Sequence, residues 1–303
     1  AEQYSGGESE RRVGKALRGQ RDSWVISTKF GYRVGPENTR EDDSSPETIL
    51  PSLEGSLRRL GTDYVDVYLY HCAPRPEDIS AGMAVLEEAK AQGKIRFIGF
   101  TNHRIKIALE AVASDLYDTL QFPLSCLSAE KDLQLIEECQ RRDLGVIAMK
   151  ALSGGLITKA TVAFTFLRQY DNVVPIWGIQ RESELDEFLV LEQHPPVLND
   201  NMWKVIEHDR AELAGAFCRG CGYCLPCPVE IPIPQAARMS LLLNRMPYQR
   251  LLTEEWKAQM ELITECTECG QCRARCPYEL DTPNLLKKEL KAYREFYQNH
   301  AVK

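Results

Sequence analysis

Cys266-Thr267-Glu268-Cys269-Gly270-Gln271-Cys272-Arg273-Ala274-Arg275-Cys276-Pro277 spaces its cysteines as C-x2-C-x2-C-x3-C-P. That spacing presents three thiolates from one tight turn and releases a fourth into the following segment, as a 4Fe–4S cube requires. A second run lies upstream at Cys218, Cys221, Cys224 and Cys227-Pro228, one residue shorter before its last cysteine, so eight of the chain's eleven cysteines fall into two matched runs. Two clusters are therefore expected. Zinc also accepts C-x2-C pairs, but a tetrahedral site takes four ligands and has no use for a third cysteine at the same interval. A disulfide framework fits worse, because a chain of 303 residues can bury a core without covalent staples.

In two-cluster ferredoxins the fourth cysteine of each run ligates the other cluster. By that rule Cys218, Cys221, Cys224 and Cys276 hold one centre, and Cys266, Cys269, Cys272 and Cys227 hold the other. The insert between the runs carries Met239, Leu241, Leu242 and Leu243 and reads as helix, which predicts a helical dicluster module rather than a compact β-rich one. Residues 199–217 read as a linking helix, and Pro283 to Asn299, rich in Lys, Glu and Leu, as a final one. This places the module at 199–303, after a first domain at 1–198.

Upstream, short apolar runs alternate with amphipathic stretches: Trp24–Phe30, Val65–His71, Ile95–Asn102, Thr119–Leu124, Gly145–Leu152 and Val173–Ile179. Both faces of each run are largely apolar, as parallel strands covered by helices require. Ser45-Pro46-Glu47 reads as an N-cap with proline at the first helical position, ahead of Ile49, Leu53, Leu57 and Leu60 on one face, although Pro51 interrupts the pattern. A helix around Glu77 to Gln92 stops at Gly93. Six β-α units in a row fit a doubly wound sheet or most of an eight-stranded barrel. Polar residues collect at the C-terminal strand ends (Lys29, His71, Asn102, Gln121, Lys150, Arg181), and no G-x-G-x-x-G turn follows a strand. Both observations favour the (β/α)8 TIM barrel, with its first strands missing from this sequence.

A net charge of −7 and the absence of any Lys/Arg-rich block leave no electrostatic footprint for nucleic acid or an anionic membrane. No apolar run approaches transmembrane length. Thiolates kept as ligands suit a reducing compartment, so the cytoplasm is the expected location.

The chain resembles the aldo/keto reductases, specifically the branch with a C-terminal iron–sulfur domain. The family's second strand and following helix are matched by Ala1-Glu2-Gln3-Tyr4 and Ser9-Glu10-Arg11-Arg12-Val13-Gly14-Lys15-Ala16-Leu17, and its third strand end by Ser27-Thr28-Lys29. Its fourth strand is matched by Leu60-Gly61-Thr62-Asp63-Tyr64-Val65-Asp66-Val67-Tyr68-Leu69-Tyr70-His71. The similarity runs to about Glu192, and again from Cys218 to Pro277. It implies a catalytic aspartate two residues before Ala1, so the sequence is expected to begin inside a longer fold.

The resemblance implies that an NAD(P)H-dependent oxidoreductase interconverts a carbonyl and an alcohol on a small molecule. Tyr4 would donate the proton, Lys29 would lower its pKa, and His71 would orient the carbonyl. Thr101, Asn102 and Gln121 stand where the family holds the nicotinamide carboxamide, and Ser153-Gly154-Gly155 where backbone amides approach the pyrophosphate. Val174 to Arg181, with Gly178, matches the last strand and adenosine site, and Glu187 keeps an adenine-contacting position. Three positions depart from the pattern: Met149, followed by Lys150, stands where many members stack a tyrosine, and Glu184 and Phe188 replace an Arg and an Asn. Arg181 could contact a 2′-phosphate, so NADP(H) is expected over NAD(H). Cys139 shares a helix with Leu133 and Ile136 and reads as core, while Cys72 could line the pocket. An alternative makes the barrel a docking scaffold and the ferredoxin module an electron-transfer unit for a redox protein partner.

Overall fold

The computed structural model describes residue 2 and residues 4–34, 40–71, 80–213 and 217–300. Cys72 and the expected start of a helix near Glu77 lie outside these residues. Seven strands form one sheet: β1 (Ser27–Val34), β2 (Arg40–Asp43), β3 (Val65–His71), β4 (Ile95–Thr101), β5 (Thr119–Pro123), β6 (Gly145–Met149) and β7 (Val173–Pro175), in the order β2-β1-β3-β4-β5-β6-β7. Among the described residues six strands run parallel, and only the β1–β2 pair is antiparallel. The parallel strands follow one another in chain order with no reversal. That is the winding of a barrel, since a doubly wound sheet needs a switch point.

Helices α1 (Glu8–Ala16), α2 (Pro46–Leu60), α3 (Ser80–Ala91), α4 (Ile105–Ala113) and α5 (Glu130–Arg141) belong with this sheet. Helix α2 starts at Pro46 after Ser45, runs through Pro51 and ends on left-handed Gly61, burying Ile49, Leu53, Leu57 and Leu60. At Gly14, a Cβ would sit 2.1 Å from the Leu60 carbonyl oxygen, so glycine is what lets α1 lie directly on the end of α2. All of β3 is buried, and Phe30 of β1 stacks on its Tyr68 and Tyr70 at ring separations of 4.9 and 5.0 Å.

Asp66 fixes how β1 enters beside β3. Its carboxylate accepts from the Ile26 amide, Arg21 and Arg96, each at 2.8 Å. Burial alone would raise its pKa, but the Ile26 amide and then the two guanidiniums hold it below the usual carboxylate value. Asp118 repeats the device before β5, accepting from the Ile98 amide at 2.8 Å and from Lys90 at 3.1 Å.

The chain packs as two compact units, the first comprising Ala1–Pro123, Ser128–Met149 and Tyr170–Pro175, and the second the remainder. The second therefore takes in residues before the sequence boundary at 198. The reason is aromatic packing: Phe164 of α6 (Ala160–Leu167) stacks near Trp177, which stacks on Phe188 of α7 (Glu182–Gln193) at 4.4 Å. Phe166 meets Trp203 of α8 (Asp200–Glu212) edge-on. The rest of this unit is helical, with α9 (Ile233–Ala236), α10 (Met239–Arg245), α11 (Glu254–Glu261), α12 (Gln271–Ala274) and α13 (Thr282–His300). Ile233, Met239, Leu243, Met260, Leu286, Leu290 and Tyr293 form its core. Buried Glu289 of α13 accepts from the Ser240 amide and hydroxyl at 2.7 and 2.9 Å, placing a carboxylate at the electropositive start of α10.

Candidate functional site

In the first unit the strand ends gather the residues expected to do chemistry. Tyr4 precedes the short turn Ser5–Gly7 that feeds α1, and its hydroxyl lies 3.5 Å from His71 Nε2 at the end of β3. Lys29 Nζ, on β1, stands 5.7 Å from the centre of the Tyr4 ring. Tyr32 packs edge-on against the His71 ring at 5.1 Å. His71 is buried and Tyr4 is 44 % exposed, so the contact between them lies at the edge of solvent. Sequence reading had no signal for Tyr32, because its link to His71 depends on the register of two strands.

The next strand ends continue the row. His71 pairs in register with Thr101 and Thr101 with Gln121, while Pro123 pairs with Met149. Thr101, Asn102 and Gln121 are buried. Gln121 donates to the Met149 sulfur at 3.6 Å, and its buried Oε1 has no hydrogen-bond partner among the described residues. A buried amide oxygen left unsatisfied is costly unless a donor arrives. A carboxamide N–H is such a donor, so these residues fit a nicotinamide.

The second unit holds the remaining expected cofactor residues. Lys150 and Gly154 turn to the first cysteine run: Lys150 Nζ donates to the Gly220 carbonyl at 3.4 Å, and Arg238 donates to the Gly154 carbonyl at 3.1 Å. Gly155, like Gly154, has a left-handed backbone, and Gly178 lies open. Arg181 donates to Glu184 through Nε at 3.0 Å and Nη2 at 2.8 Å. Glu184 also accepts from the Gln180 amide, and these donors together hold its pKa below the usual value. Glu187 is exposed on α7, whereas Phe188 is sealed against Trp177 and serves the core.

The cysteines surround two cavities. The first is lined by Cys218, Cys221, Cys224 and Cys276. The second is lined by Cys266, Cys269, Cys272 and Cys227, and Cys224 also borders it. Each thus combines three cysteines of one run with the last cysteine of the other. The Cys224 thiol is pushed up to about 12, mainly by burial, and burial likewise raises Cys218, Cys221 and Cys272. Apolar cavities ringed by four sulfurs suit iron–sulfur cubes, whose binding would displace those protons. Cys126 and Cys139 lie outside the runs, fully buried, each with its thiol raised to about 12 by burial.

The fold and these sites define an α/β oxidoreductase-type barrel sheet followed by a helical dicluster module. The model of the aldo/keto reductase family matches residues 1–169, and that of a 4Fe-4S dicluster domain matches residues 217–281. The chain belongs to the aldo/keto reductase family and carries a C-terminal 4Fe–4S dicluster domain. It is 32 % identical over 207 residues to the NADH-specific methylglyoxal reductase of Escherichia coli, covering 64 % of this chain and 63 % of that protein. An NADP(+)-designated aldo-keto reductase of Schizosaccharomyces pombe is 27 % identical over 166 residues, 53 % of this chain and 49 % of that one. The chain therefore spans between about half and five-eighths of these relatives' lengths. Among solved structures, an aldo-keto reductase from Bacillus halodurans superposes with a TM-score of 0.61 at 21 % identity, covering 69 % of this chain and 80 % of that one, which shows the fold alone. No helix among the described residues is long and apolar enough to cross a membrane.

Proposed function

We propose that the protein is an NAD(P)H-linked oxidoreductase that interconverts a carbonyl and an alcohol on a small molecule, with two 4Fe–4S clusters in its C-terminal module. The observation that carries this reading is the convergence of Tyr4, Lys29 of β1 and His71 at the end of β3, from three separated stretches. A bound nicotinamide supplies or accepts the hydride. Gln121, through its unpaired Oε1, would hold the carboxamide together with Thr101 and Asn102. His71 would orient the substrate oxygen, and Tyr4 would deliver a proton to it from its hydroxyl. An ordinary tyrosine titrates near pH ~10, and the nearby Lys29 ammonium favours the phenolate that remains after transfer.

The adenosine end bears on coenzyme choice. The expectation of NADP(H) rested on a free Arg181, but pairing with Glu184 cancels the charge a 2′-phosphate would meet. NADH is accordingly proposed to serve at least as well as NADPH. The clusters would be ligated crosswise, as the cavity linings group them. A reducing compartment such as the cytoplasm suits them.

The test uses the full-length protein with methylglyoxal as first substrate, compared with Tyr4→Phe. Loss of about 100-fold or more in kcat, with coenzyme binding retained, is expected for removal of a general acid. Unchanged turnover in Tyr4→Phe would take the chemistry away from this site.

A further inference from the structure

Lys150 and Arg238 lie behind Cys218 of the first cysteine cavity, without lining it, and have no carboxylate partner among the described residues. Lys150 Nζ donates to the carbonyl of Gly220, whose amide donates to Cys218 Sγ at 3.4 Å. Arg238 is clasped beside it. Its Nε donates to the Pro234 carbonyl at 3.0 Å and its Nη1 to the Gly154 carbonyl at 3.1 Å. A Cβ on Gly220 would lie 3.1 Å from the guanidinium carbon, and one on Gly154 only 2.5 Å from Nη1, so both glycines leave room for this one side chain. Arg219, with its guanidinium 4.4 Å from the centre of the Tyr278 ring, adds a third cation at the same cavity.

The second cavity differs. Its lining includes Glu268 and no Lys or Arg, and Arg275, which donates to the carbonyl of the lining Pro226 at 3.5 Å, is exposed where Lys150 and Arg238 are half-buried. Lys287, which approaches Glu268 from α13, is half-exposed and already spent on that carboxylate. Bringing two half-buried cations together without an acid is unfavourable unless an anion faces them. A 4Fe–4S core held by four thiolates is such an anion, and it gains one more negative charge on reduction.

We propose that Lys150 and Arg238 set the order in which the two clusters accept electrons, making the centre held by Cys218, Cys221, Cys224 and Cys276 the first to be reduced. The step is a single-electron transfer from a low-potential one-electron donor: the donor is oxidised by one electron, the cluster is reduced by one, and no proton or bond is exchanged. Cations favour the more negative state, so removing one lowers the reduction potential of the centre it faces and leaves the other nearly unmoved. The segment from Lys150 to Gly155, for which family resemblance implies coenzyme contact, thereby also acts on a cluster.

This inference rests on the proposed occupancy of both cavities, and iron analysis tests that separately: about eight iron atoms per chain are expected. The anaerobically reconstituted full-length protein is titrated with dithionite as one-electron donor and followed by EPR. Cys227→Ser isolates the first centre and Cys276→Ser the second. The centre retained in Cys227→Ser should be the one of higher potential. Lys150→Met in that background should weaken its reduction about tenfold, equal to ~59 mV for one electron, while Lys150→Arg preserves it. In the Cys276→Ser background, Lys150→Met should change little. The proposal is overturned if the higher potential belongs to the centre kept in Cys276→Ser, or if Lys150→Met moves both centres equally or neither. Iron at half the expected content or below in the unsubstituted protein would instead remove the two-cluster reading on which the proposal stands.

Discussion

Asp66→Ala tests whether one buried carboxylate sets the geometry of the β1–β3 strand pair. With its side chain 4 % exposed, the carboxylate satisfies the Ile26 amide and pairs with both Arg21 and Arg96. Truncation strands the amide and leaves Arg21, only 17 % exposed, without its anion. Breaking a buried pair of this kind costs about 3–5 kcal/mol. At roughly 2–4 °C per kcal/mol for a domain of this size, the melting temperature of the barrel unit should fall by about 6–20 °C. The assay is thermal and urea unfolding followed by far-UV circular dichroism, with Asp66→Asn alongside, since an amide keeps one acceptor for Ile26. The pH dependence has a definite sign. A carboxylate held below its ordinary value contributes stability above the unfolded pKa of ~3.9, and loses it as pH falls through the lower folded value. The difference between unsubstituted protein and Asp66→Ala should therefore be full at pH 7 and shrink under strong acid. A penalty below about 1 kcal/mol at pH 7, the worth of an exposed ion pair, would refute the assignment of Asp66 as the anchor of β1 on β3.

Glu184→Gln should release Arg181 and shift the ratio of NADPH to NADH affinity several-fold towards NADPH. Coenzyme fluorescence titration reads this directly, and an unchanged ratio would mean that Arg181 does not meet the 2′-phosphate. Adding NADH to the oxidised, loaded protein should leave both clusters EPR-silent, because a hydride carries two electrons, each cube takes one, and the sequence shows no flavin motif to divide them. A reduced-cluster signal would require a splitting group this reading lacks. Cys126 and Cys139, buried with thiols raised to about 12, should resist alkylation in the folded protein while cysteines of the emptied cavities react. Equal labelling of all the thiols would contradict the packing.

Strand β3 was legible as an apolar run and coincides with the expected Val65–His71, whereas β1 begins at Ser27 and runs past Phe30 to Val34, and β7 ends at Pro175 rather than Ile179. Cysteine spacing and the crosswise rule anticipated both cavity linings, including Cys227 after its shortened interval. Strand β2 was not legible: Arg40-Glu41-Asp42-Asp43 has no apolar or β-branched residue, and it becomes a strand only by pairing with the edge of β1. The fate of Phe188 was equally hidden. Its departure from the family pattern is explained by Trp177, a partner eleven positions away that only folding brings to 4.4 Å. Lys150 and Arg238 come together behind Cys218 across 88 positions of sequence, a pairing no local pattern encodes. Tyr4, Lys29 and His71 were each unremarkable singly, and the pairing of β1 with β3 beside the turn after Tyr4 made them a set.

The crosswise lining of the two cavities has a consequence for biosynthesis. Cys218 leaves the ribosome 58 positions ahead of Cys276, the last cysteine its cavity requires. At roughly 5–20 residues per second, the first run waits about 3–12 s for that partner. Throughout the interval, three thiols are present without the wall that completes their enclosure. With the clusters ligated as proposed, iron delivery would follow translation of the second run, and a nascent chain arrested between the two runs would complete neither centre.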